Sequence, residues 1–94
     1  MSRVRTASPI DEVDRIAREE GVESLTETGE RSRSFEAFGR VFEIAEAPPG
    51  KVGLFSLTST PKDDPEAPPY EGMETHARVR HLFRRAVKWR ERVA

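Results

Sequence analysis

Apolar residues recur at Ile10, Val13, Ile16 and Ala17, the spacing that lines one side of a helix. Ser8 and Pro9 precede them as start signals. A serine hydroxyl accepts from an unpaired backbone N–H, and proline at the first helical position gives up no needed donor. Asp11, Glu12 and Asp14 then sit near the positive end of the helix dipole, and Gly21 suits the left-handed residue that closes a helix. The pattern predicts a helix over 9–20.

Beyond Val22 the period shortens. Val22 to Thr28 alternates and is rich in β-branched residues, and it breaks at Gly29. Arg40 to Glu46 alternates again, while Lys51 to Thr58 is apolar on both faces, as an inner strand is. Pro48-Pro49-Gly50 between them is a turn signal. Gly39 admits two readings, a hairpin turn with Phe38 or a bulge inside one long strand. The long, bulged strand is favoured, because Phe-Gly is a poor two-residue hairpin turn. Residues 61–72 hold four prolines and four acids without periodicity and predict an acidic, Pro-rich loop. From about Met73 to Val93 the helical period returns, with Val79, Leu82, Phe83, Ala86, Trp89 and Val93 in one stripe.

These elements predict a single α+β domain over 1–94. It has a three-stranded antiparallel β-sheet flanked by N- and C-terminal α-helices, in the order α-β-β-β-α. Phe42, Phe55, Leu82 and Phe83 are expected in the core against Val13 and Ile16. Val52 and Leu54 alternate with Phe55 and Leu57, so one pair must turn away from the helices. With Val41 nearby, that second face predicts an apolar patch for a second copy of the chain or another protein.

Leu, Ile, Val and Phe make up 20 of 94 residues, and the net charge is −1. A near-neutral chain of that apolar content folds, with a thin core. The absence of cysteine excludes disulfides, thiolate metal sites and cysteine nucleophiles. No apolar run approaches the roughly 20 residues that span a bilayer. The N-terminal charges are not followed by the apolar run of a secretory signal, so a cytoplasmic protein is expected.

Catalytic chemistry finds no support. The six glycines are scattered and form no phosphate loop. His76 and His81 stand five apart, about 140° around a helix, and do not share one metal ion. Asp63-Asp64 lacks a third ligand, and Ser56, Thr58, Ser59 and Thr60 lack a histidine to activate them. Pro68-Pro69-Tyr70 falls one residue short of the Pro-Pro-x-Tyr ligand of WW domains, so Tyr70 is read as a loop aromatic packed against the body. No catalytic residue, metal site or cofactor is expected.

Charge is the remaining signal. His76 to Ala94 carries seven Arg or Lys and one acid, against nine and sixteen in the preceding residues, so a segment of +6 joins a body of −7. On a helical wheel Arg78, Arg80, Arg84, Arg85, Lys88 and Arg92, with His81, form an arc opposite the apolar stripe, and Trp89 borders it. Such an arc meets phosphates and stacks on a base, meets carboxylates of a protein partner, or lies on an anionic membrane. It equally serves its own fold, because the first helix is acidic enough to pair with it.

The order helix, three strands, helix resembles the double-stranded-RNA-binding domain, with Ser8-Pro9-Ile10 and the stretch from Gly29 to Phe35 matching its first helix start and first loop. The lysine cluster of that family falls here on Glu74, Thr75 and Arg78, of which one is basic. Ser34 to Leu57 and Pro68 to Gly72 resemble two segments of the MmcQ/YjbR family, itself proposed to bind DNA, although this chain lacks about a helix between them. The expectation is a small, non-enzymatic binding or regulatory module acting through protein contact, with another protein or a second copy as partner. The alternative is nucleic-acid binding through the basic C-terminal helix.

Overall fold

In a computed structural model, residues 9–64 and 66–93 are described. Helix α1 (Pro9–Glu20) leads into strands β1 (Thr26–Gly29), β2 (Ser32–Ala37), β3 (Arg40–Glu46), β4 (Leu54–Pro61) and β5 (Tyr70–Thr75), and helix α2 (His76–Val93) follows directly. The strands form one antiparallel sheet in sequence order, β1-β2-β3-β4-β5. Both helices pack on the same face of it and against each other. The expected α+β class and the terminal helices are present, but the sheet has five strands rather than three.

α1 begins at the predicted position, while the Ser8 cap lies outside the described residues. Its end is a Schellman motif: the Gly21 N–H donates to the Arg18 carbonyl (3.2 Å) and the Val22 N–H to the Ala17 carbonyl (2.8 Å). Gly21 has φ 89°, a conformation glycine adopts without a Cβ penalty.

Register assigns the sheet faces. Phe35 pairs with Phe42, and Ile44 with Leu57, so these four side chains point the same way as Ala37 and Phe55. Ile10, Val13, Ile16 and Ala17 of α1 and Val79, Phe83 and Ala86 of α2 close over them. Phe35 stacks on Phe42 at 5.0 Å and meets Phe83 edge-on at 5.1 Å. Of the expected core, Phe42, Phe55, Phe83, Val13 and Ile16 are buried, whereas Leu82 is half-buried at its margin. The outer face carries a polar row across four strands, Ser34, Glu43, Thr58 and Glu71. Water covers that face, and the helices take the other.

The strand count changes at two places. Phe38 and Gly39 form a two-residue hairpin between Ala37 and Arg40, so the predicted long strand is two strands. Both residues have positive φ, 58° and 70°, as a type I′ turn requires. An aromatic residue in that region costs roughly 1–2 kcal/mol. The Phe38 ring offsets this by packing on Phe42 at 6.2 Å and Trp89 at 5.7 Å, contacts of about 0.5–1.5 kcal/mol each beyond area burial. The second change is β5, which takes Tyr70 to Gly72 from the predicted loop and Met73 to Thr75 from the predicted helix start. β4 holds its partner in register over six residues, and backbone pairing there outweighs the weak strand signal of a short, acidic segment. With five strands, the likeness to the three-stranded double-stranded-RNA-binding layout does not extend to the architecture.

The apolar outer patch is also absent as drawn. Val52 lies in the β3–β4 turn, fully exposed, while Leu54 and Val41 face outward at opposite ends of the sheet. Val41 pairs with Thr60, six residues from Leu54 along β4 and therefore about 20 Å away.

Phe83 is fully enclosed and touches Phe35 across the helix–sheet boundary. Phe83→Ala is expected to destabilise by about 3–5 kcal/mol, comparable to the whole stability of a small domain. Urea denaturation followed by circular dichroism checks this, with Val93→Ala at an exposed position of the same helix expected to change little.

Candidate functional site: the basic face of the last helix

Thr75 starts α2, its hydroxyl accepting from the Arg78 N–H at 3.2 Å. The helix then lies diagonally, leaving β5 at its N-terminus and bringing Ala86 and Trp89 over Phe35 and Phe38. Its apolar stripe faces the sheet as predicted, apart from Val93, which is exposed.

The seven residues singled out in the sequence divide into two groups. In the first half of the helix, Arg80 donates to Glu20 and to Glu19 of α1, each at 2.7 Å. Arg84 grips the Glu20 carboxylate with Nε at 3.0 Å and Nη2 at 3.2 Å. Arg78 approaches Glu74 of β5 at 3.6 Å. Hydrogen bonds from Arg84 and then Arg80 hold the Glu20 carboxyl down at about 2, against an ordinary 4.5. Glu19 is lowered too, mainly by its bond from Arg80 and then by Arg15. Both arginines are raised by the same acids. This half of the basic face fastens α2 to α1 and to the sheet.

The second half is different. Arg85 places its guanidinium carbon 5.7 Å from the centre of the Phe38 ring, a cation–π contact. Lys88 and Arg92 line an open cleft with Phe38, Arg85 and Glu91. Lys88, Arg90 and Arg92 are exposed, and no ion pair or side-chain hydrogen bond joins them to other described residues. Arg85, Lys88, Arg90 and Arg92 against Glu91 leave this half at +3. Trp89 is half-buried, and its ring packs on Phe38 rather than standing free.

Two participants escaped the sequence reading. Phe38 floors the cleft, yet in sequence it is only one half of an unfavourable turn dipeptide, and nothing along the chain marks its position under Arg85. Arg33 is the second. It points inward from β2, is 8% exposed, and binds Asp14 of α1 through Nε (2.9 Å) and Nη2 (3.2 Å). Its Nη1 donates to the Gly29 and Ser32 carbonyls at 3.0 and 2.9 Å. Alternation with Phe35 and Ala37 was the available signal, since it places Arg33 on the buried face. This pair joins α1 to the β1–β2 hairpin and serves the fold.

Other sequence candidates stay dispersed. His76 packs on Phe55 at 4.6 Å, and His81 is exposed further along the helix. Tyr70 belongs to β5, and its hydroxyl donates to Glu74 at 3.0 Å. Among the described residues, no three His, Cys, Asp or Glu gather to hold a metal ion, and no helix is long and apolar enough to cross a membrane. Compared with models of protein families, with curated proteins and with solved structures, the chain matches none.

The lowered Glu20 carboxyl has a consequence for pH. Its contribution to stability is fully present above about 4.5, the unfolded value, and is lost as pH falls towards about 2, where the folded carboxyl takes up its proton. Thermal melts across this window are expected to fall more steeply for the wild type than for Glu20→Gln. Parallel profiles would show that the α1–α2 clasp is not formed in solution.

Proposed function

We propose that the protein is a small, non-enzymatic binding module that takes an acidic segment of another protein on the C-terminal half of α2. The observation that carries this reading is the division of the basic face. Arg80 and Arg84 are held by α1, while Lys88 and Arg92 make no ion pair with other described residues and line a cleft floored by Phe38. Exposed cations beside an aromatic floor suit an acidic peptide carrying one apolar side chain, which would enter the cleft while its carboxylates meet Arg85, Lys88 and Arg92. A regulatory role follows if that segment belongs to an enzyme or a larger assembly.

Carboxylates are favoured over a nucleic-acid backbone on two counts. The line Arg80, Arg84, Lys88 is interrupted by the clasp, so only its last member, extended by Arg92, is free to follow a phosphate strand, over about 6 Å of helix. Trp89 is also half-buried and packs on Phe38, so less of its ring is left for a base to stack on. The nucleic-acid reading keeps one observation, the +3 charge of this half, and predicts a steep salt dependence.

The reading separates two kinds of variant. Lys88→Glu with Arg92→Glu is expected to weaken capture of a labelled glutamate-rich peptide at least tenfold, with stability unchanged within roughly 0.5 kcal/mol. Arg84→Glu is expected to lower the melting temperature by placing like charges at Glu20. Fluorescence anisotropy on each variant, with the peptide and with a labelled duplex, checks this. Salt-sensitive binding of the duplex alone would replace the protein-contact reading with the nucleic-acid one.

A further inference from the structure

The two edges of the sheet are built differently. β1 is four residues long, and its pairing with β2 slips between Glu27 and Gly29. Short, irregular edges discourage a further strand. β5 is six residues long and pairs without a break from Leu54↔Thr75 to Ser59↔Tyr70. It contains no proline and no lysine, and it carries two of the exposed large apolar side chains, Tyr70 at 49% and Met73 at 43%.

The ladder fixes which backbone groups β5 leaves open. Ala37 and Arg40 close a two-residue hairpin and are therefore a hydrogen-bonded pair. Alternating from there, Val41 bonds towards β4, where Thr60 opposes it, and Phe55, Leu57 and Ser59 bond towards β5. The Lys62 N–H donating to the Gly39 carbonyl at 2.9 Å has the same parity. Glu74, Gly72 and Tyr70 face β4, so Glu71, Met73 and Thr75 direct their N–H and C=O groups to the free edge.

We infer that β5 is the interface for a second copy of this chain, paired antiparallel about a two-fold axis at Met73. This register places Met73 opposite Met73 of the second copy and Glu71 opposite its Thr75, and it uses all three outward residues on each side. Neighbouring registers are worse. Shifts that bring Glu71 or Glu74 opposite its own counterpart set like charges face to face. The register that pairs Glu71 with Met73 leaves Thr75 opposite Pro69, which has no N–H. In the chosen register Glu74 lies opposite Gly72, over which the Tyr70 ring folds, so no like charge stands directly opposite it. Two five-stranded sheets then continue as one, and the exposed Met73 side chains cover each other. The interface is separate from the basic half of α2, so it stands or falls independently of the proposed binding function.

The cysteine-free chain permits a direct test on the full protein. In a hydrogen-bonded antiparallel pair the Cα atoms lie about 5.5 Å apart, within disulfide reach, so Met73→Cys is expected to cross-link under mild oxidation. Residue 71 would lie about 14 Å from its counterpart, so Glu71→Cys is expected to cross-link at least tenfold more slowly. Wild-type protein is expected to dimerise in sedimentation equilibrium. Met73→Pro removes an N–H that faces the free edge and leaves the β4–β5 bonds intact, so it is expected to be a folded monomer by circular dichroism. If that variant unfolds, Met73→Lys, which sets two cations across the axis, replaces it with the same expectation. A wild-type monomer at millimolar concentration overturns the inference, even if another protein takes the edge. So do equal cross-linking rates for the two cysteine variants, or a dimer that survives in the folded proline or lysine variant.

Discussion

The inner face of the sheet is covered by two helices that must share the task, and most of the architecture depends on this sharing. Five strands about 4.8 Å apart make a sheet near 19 Å wide, roughly the span of two helices packed 8–10 Å apart. One helix would leave Phe42, Ile44 or Phe55 open to water. α1 and α2 therefore lie side by side, although the whole sheet separates them in the chain. The seam between them is where the acidic and basic ends of the molecule meet.

Charge at that seam follows from packing. Glu19 and Glu20 are the last residues of α1, and Arg80 and Arg84 project from α2 one turn apart, so one carboxylate reaches both guanidiniums. Glu20 is 11% exposed at its side chain, and a carboxylate that covered needs donors. The seam thus fixes the rotation and slide of α2, and through them the position of Trp89 and Arg85 over the β2–β3 turn. The strained conformation of Phe38 persists because its ring is held from above by Trp89 and Arg85 and from below by Phe42. Arg33 and Asp14 perform the matching task at the other end, tying α1 to the β1–β2 hairpin, whose edge strand β1 has no buried residue.

The basic helix therefore has two roles along its length. Its first half is structural because α1 ends beside it. Its second half extends past the end of α1, and its cations form no ion pair with other described residues. A segregated charge in a sequence is a weak guide to function for this reason: one pattern supplies both an internal clasp and a free surface, and only the length of the neighbouring helix divides them.

Local physics determined the two helices. Pro9, the spacing of Ile10, Val13, Ile16 and Ala17, and the need for a left-handed residue at Gly21 define α1 from within its own residues, and the stripe from Val79 to Trp89 does the same for α2. The alternation of β3 was legible in the same way, as were a strand through Leu54 to Thr58 and the arc of cations, although β4 buries only alternate residues rather than both faces. What only the tertiary structure decided is whatever depends on contacts far along the chain. Phe38 adopts positive φ because Trp89, fifty-one residues later, packs on it. β5 is a strand because β4 offers it an edge, not because Tyr70 to Thr75 is a strong strand sequence. The division of the arginines waited on Glu20 arriving beside Arg80 and Arg84. A helix is stabilised by bonds a few residues apart and can be read from a window of that size, whereas strand pairing and interhelical ion pairs are closed by residues up to sixty-four apart.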